Sequence, residues 1–185
     1  MRLALSILVA LAPLAAQVPQ MPQPASAGVH DTGAPRVSLV ALSQVSRGFD
    51  REFQNFAPAD PIDVLGRTRG IYLDGYGVIF STELSPIVTP NVSPFRPNIS
   101  DQDRAAVRQR KLARLPAVEK LINSMLQSAA RELATLPDDQ QIVVAVKFLY
   151  LPYEDTNGLP GQLVVKATRR AIASGAPVVA MVTNQ

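Results

Sequence analysis

Leu42, Val45, Phe49, Phe53 and Phe56 recur at steps of three and four residues. That spacing places them on one apolar stripe and predicts a helix from Ser38 to Phe56. Gly48 inside it costs roughly 1 kcal/mol relative to alanine. Burial of the stripe therefore has to hold the helix. The stretch Ala57 to Pro61 ends it, because proline cannot continue the hydrogen-bond ladder.

The next pattern has a period of two. RGIYL and VIFSTEL flank Asp74-Gly75-Tyr76-Gly77, and this predicts a hairpin with positive φ at the turn and room for a bulge at the second glycine. Ser100, followed three residues later by Asp103, marks a helix start. Leu115, Val118, Ile122, Met125, Ala129, Leu133 and Leu136 continue it as a core stripe, with Pro116 expected to kink or divide the helix. QIVVAVKFLYL is apolar enough for a central strand. Turn residues follow over Tyr153 to Gly161, then either a partner strand at Gln162 to Ala167 or a rival helix at Gly161 to Ala173. A short helical turn and a last strand at Pro177 to Thr183 close the chain. The fold expected is α+β: a mainly antiparallel sheet from two hairpins and a C-terminal strand, packed against two amphipathic helices.

The N-terminus changes what the domain boundaries are. Met1-Arg2 and the apolar run Leu3 to Ala16, with an Ala-x-Ala site at Ala25 to Ala27, have the form of a secretory signal over residues 1–27. Residues 28–37 then form a flexible segment, and 38–185 a single domain. Cleavage after Ala16 is the alternative. The apolar run contains Pro13 and falls short of the ~20 residues that span a bilayer, so no transmembrane segment is expected after signal removal. Export to the periplasm or the extracellular space follows.

Composition narrows the chemistry. The 185 residues include no cysteine and one histidine, His30. This excludes disulfide scaffolds, thiol nucleophiles and sulfur-ligated zinc. The formal net charge of +3 loses Arg2 with the leader, and so small a balance does not argue for nucleic acid. The proline-rich segment from Ser85 to Ile99 is a connector or a docking loop.

The glycine-rich stretch Gly70 to Pro86 invites a ligand-loop reading, with Tyr72 and Tyr76 as contacts. Its glycines lie between two strands and not ahead of a helix N-terminus, where amide donors cradle phosphate. Turn chemistry is the reading preferred. YLDGYGVIFSTEL, followed by SPFRPNIS, resembles a group of uncharacterised exported bacterial proteins with a YL-x-GYG-V-F segment. The resemblance implies export and no mechanism.

Other motifs stop short. Asp155-Thr156-Asn157-Gly158 begins like a calcium loop, but Lys166 occupies the twelfth position, where a bidentate glutamate belongs. Asp31-Thr32-Gly33 has the tripeptide of aspartic proteases without its hydrophobic flanks. Lys147 interrupts an apolar strand and suggests a serine–lysine site with no serine fixed by spacing. Arg104, Arg108, Arg110, Lys111 and Arg114 form a basic half-helix. Arg104, Arg108 and Lys111 share one face, expected to be exposed, so that reversal of all three to glutamate leaves the fold intact.

These features favour a non-enzymatic exported interaction or structural module of the bacterial cell envelope, with no cofactor, and a protein or an anionic surface as partner. Ligand-binding candidates are Arg104, Arg108, Lys111, Tyr72 and Tyr76. The alternatives are a hydrolase with a serine–lysine or carboxylate site, and an anionic-surface binding protein. Oligomeric state is left open by the sequence.

Overall fold

The computed structural model describes residues 37–89, 99–176 and 179–184. The leader, His30, the Asp31 to Gly33 tripeptide, most of the proline-rich segment and the start of the expected final strand lie outside them. The fold is α+β, with a mostly antiparallel six-stranded sheet and helices packed against it.

Helix α1 spans Leu39–Asn55, and the Ser38 hydroxyl caps it by accepting from the Ala41 amide at 3.1 Å. Leu42, Val45, Phe49 and Phe53 are buried along it, as their spacing requires. Phe49 meets Phe80 edge-on, with ring centroids 4.9 Å apart. Helix α2 spans Asp101–Glu132, roughly 48 Å of helix at 1.5 Å per residue. Ser100 caps it, accepting from the Asp103 amide at 3.1 Å. Of the two outcomes expected at Pro116, a kink or a division, division does not occur: α2 continues through it in one piece. Leu115, packed against the core, and fully buried Val118 hold the chain on either side of the lost hydrogen bond.

The strands are β1 (Asp63–Val64), β2 (Arg69–Leu73), β3 (Gly77–Ser85), β4 (Gln141–Phe148), β5 (Pro160–Thr168) and β6 (Val179–Asn184). β2 and β3 form the first hairpin and β4 and β5 the second, with β6 antiparallel on β5. The hairpins join through a parallel β3–β4 pair, whose crossover contains α2. β1 is a two-residue strand that periodicity did not reveal, and it shares the β3 edge with β2. The rival helix over Gly161 to Ala173 does not form. Residues through Thr168 are strand, and only Arg169–Ala173 coils, as the short helix α3.

Alternation along the strands divides the sheet into two faces. Val78, Phe80, Leu84, Ile142, Val144, Val146, Phe148, Leu163 and Val165 point inward and join α1 and α2 in one core. Residues of the opposite parity form an outer face.

The turn between β2 and β3 gives each of its glycines a conformational or packing reason. Gly75 takes φ +71° in open space, as an Asp-Gly turn demands. Gly77 has φ +136°, and a Cβ there would lie 2.0 Å from the Gln141 carbonyl oxygen. The pairing of β2 with β3 runs in even register from Arg69↔Ser81 to Leu73↔Gly77, without the expected bulge. Close approach of β4 is therefore what requires the second glycine.

Candidate functional site

Two places gather chemistry-bearing side chains. The first is the basic half of α2. Lys111 lies one turn beyond Val107 and one before Leu115, in phase with the buried stripe. Its side chain is accordingly 0% exposed. The expectation of an exposed basic face fails here, because position 111 faces the interior. The Lys111 ammonium pairs with the Glu154 carboxylate, itself 2% exposed, and lies 4.8 Å from the centre of the Tyr150 ring.

The neighbouring cations are also engaged. Arg108 donates to the Asn157 carbonyl at 2.6 Å and lies 3.7 Å from the Asp155 carboxylate. Both acceptors belong to the β4–β5 connection. Arg110 pairs with Asp60 at 2.9 Å, and Arg114 bonds the Asp60 carbonyl while resting 4.8 Å from the Phe56 ring. Arg104 pairs locally with Asp101. The half-helix thus clamps two connections, the one after α1 and the one after β4. Asp155 also accepts from the Asn157 amide at 3.0 Å, and Gly158 has φ +75°. This is the turn expected over Asp155 to Gly158.

Burial sets the ionisation of the cluster. Desolvation lowers the Lys111 amine from its ordinary value, opposed by the hydrogen bond and charge of Glu154 and by Asp63. Burial first, then the Glu154 charge, pushes the Tyr150 hydroxyl up, and this hydroxyl donates to the Pro160 carbonyl at 2.7 Å. Tyr153 moves in the same direction from the same causes. Above pH 10, the ordinary tyrosine value, the folded state keeps a Tyr150 proton that the unfolded chain has lost. Stability from this group consequently falls as pH rises through that window. Tyr150→Phe is expected to flatten the loss in denaturant titrations above pH 10, leaving the smaller balance of Tyr153, which acts in the same direction, and Lys111, whose lowered amine acts in the opposite one. An unchanged slope would show that the Tyr150 proton is not linked to folding.

Tyr72 and Tyr76 lie elsewhere. They flank the β2–β3 turn, near the start of β4, whereas Lys111 and Glu154 meet beyond its end. Eight residues of strand, roughly 26 Å, separate these ends. Tyr72 packs partly against the core and its hydroxyl is 3.4 Å from Asp74, while Tyr76 is exposed. The five candidates therefore do not converge on one site.

The second place is the outer face of the sheet. Arg69, Ser81, Glu83, Lys147 and Gln162 line a hollow of about 410 Å³ there. Lys147 and Glu83 are register partners with an amine–carboxylate distance of 3.4 Å, and both are exposed. The Lys147 amine therefore sits at the surface beside a carboxylate. Beside the hollow, Ile71 and Leu73 of β2 are 55% and 44% exposed. They sit on the outer face because their neighbours Gly70 and Tyr72 face inward. The alternation of RGIYL assigns Ile71 and Leu73 to one face, but nothing local says that helices cover only the other.

Among the described residues, no group of three or more histidine, cysteine, aspartate or glutamate side chains is placed to hold a metal ion. No helix among them is long and apolar enough to cross a membrane. Comparison with known proteins finds no matching family model, no similar curated protein and no similar solved structure.

Proposed function

We propose that this chain is a non-enzymatic, exported interaction module of a bacterial cell envelope, and that it engages a protein partner through the outer face of its sheet. The observation carrying this reading is the pairing of exposed Ile71 and Leu73 with the polar hollow around Arg69, Glu83 and Lys147. Apolar side chains beside a charged rim have the composition of a protein-recognition surface. An anionic surface is the weaker reading. The basic half-helix that would meet it is already engaged with Asp60, Asp101, Glu154 and Asp155. Export rests on the N-terminal pattern, and mature protein from a periplasmic extract is expected to begin at Gly28 or, with the earlier site, at Gln17.

Affinity enrichment from an envelope extract tests the face. Ile71→Glu with Leu73→Glu is expected to keep the fold, since both residues are exposed, and to lose partners retained by wild type at least tenfold. Equal retention by the folded double variant would remove the outer face from the account.

A further inference from the structure

The outer edge of the sheet carries a separate inference. Among the described residues, β6 pairs only with β5, so the backbone amides and carbonyls of its other side meet no strand. Exposed edges of this kind are ordinarily protected by charge, proline, a bulge or short length. The opposite side of the sheet is protected in that way. β1 has only two residues, and β2 carries Arg69. β6 has six residues, VAMVTN, with no charge and no proline, and the register shift in its pairing falls at Pro160/Gln162 on β5, leaving Val179 to Thr183 in even register. Two of its apolar side chains are uncovered, one on each face: Met181 is 45% exposed on the outer face and Val182 57% on the helix side. Beside Val182 the helical layer stops short, leaving a hollow of about 140 Å³ bordered by Leu115, Phe148 and Leu163.

We infer that β6 pairs antiparallel with β6 of a second copy of this chain, joining two sheets into one across a twofold axis. Self-pairing opposes each side chain to the same short segment, so any charge would meet a like charge nearby. An uncharged strand escapes that penalty. Faces must also match, because a twofold perpendicular to the sheet keeps outer side chains outer. An axis at Met181 satisfies this. Met181 then faces the partner's Met181 on the outer side, and Val182 faces the partner's Ala180 on the helix side, large against small. A short strand pair buries less than the ~1,200 Å² of a standard stable interface, so the dimer is weak and concentration-dependent. This inference is independent of the proposed partner face.

Sedimentation of the whole chain from about 5 to about 500 µM tests it by mass action. Wild type is expected to move from monomer to dimer across that range. Met181→Lys and Met181→Glu, each checked for a native circular dichroism spectrum, are expected to remain monomeric. Mixed in equal amounts, the two variants are expected to regain the dimer, since lysine then opposes glutamate at the axis. Ile71→Glu is expected to dimerise like wild type. A monomeric wild type, a Met181→Lys dimer as strong as wild type, no rescue on mixing, or loss of the dimer in Ile71→Glu would each overturn the pairing.

Discussion

Lys111→Met is expected to destabilise the protein by about 3–5 kcal/mol at neutral pH. The substitution keeps most of the side chain's volume and removes its charge, stranding the Glu154 carboxylate in a site that is 2% exposed. One of its oxygens, Oε1, already has no hydrogen-bond partner among the described residues, so loss of Lys111 leaves the charge with little to offset desolvation. Urea unfolding should show a lower midpoint with an unchanged slope. Adding Glu154→Leu is expected to recover much of the loss, because exchanging a whole buried pair for apolar groups is often neutral. Arg104→Glu, by contrast, breaks an exposed local contact and is expected to cost within about 0.5 kcal/mol. A Lys111→Met midpoint close to wild type would mean that the pair is solvated and does not clamp the β4–β5 connection. The same geometry alters the expectation for reversing Arg104, Arg108 and Lys111 together. Glutamate at 111 would place like charges side by side in the interior, so the triple variant should unfold.

Gly77→Ala is the other large effect, roughly 3 kcal/mol or more, because two penalties coincide. An alanine would have to hold φ +136°, and its Cβ would lie 2.0 Å from the Gln141 carbonyl oxygen and 2.6 Å from the Gln141 nitrogen. Backbone cannot swing aside as a side-chain tip can. Relief requires moving the start of the parallel β3–β4 pair, including the Gln141 amide bond to the Tyr76 carbonyl at 2.8 Å. Gly75→Ala, with φ +71° and nothing within 4 Å, meets only the conformational penalty and is expected to lose about 1 kcal/mol. Thermal unfolding of the two variants side by side checks the ordering. Equal losses would show that β4 does not approach Gly77 closely.

Most of the architecture was legible because its signals are local. Ser38 and Ser100 mark helix starts by cap chemistry, the phenylalanine stripe gives α1 its buried face, and Asp74-Gly75 turns the first hairpin. The parallel joining of β3 to β4 was not legible, since it depends on where α2 returns the chain. β1 escaped notice for the related reason that a two-residue strand has no period. Lys111 is the instructive case. The core stripe read from Leu115 onward extends back by four-residue steps to positions 111 and 107, so periodicity placed this lysine inside while its charge argued for solvent. The burial won because Glu154, forty-three positions away, supplies the counter-charge, and sequence spacing gives no warning of such a partner. The outer face was half legible: alternation separates Ile71 and Leu73 from Gly70 and Tyr72, but only the assembled layers show which set is uncovered.

Site-specific photocrosslinking in cells producing the chain tests the central claim most directly. A photoreactive residue is placed in turn at Ile71, Leu73 and Lys147 on the outer face, and at exposed Lys120 and Gln127 on α2, away from the β6 edge, as controls. The account predicts a discrete protein adduct from the outer-face positions and none from the α2 positions. Adducts from α2 alone, or the same adduct from both sets, would contradict recognition through the outer face of the sheet.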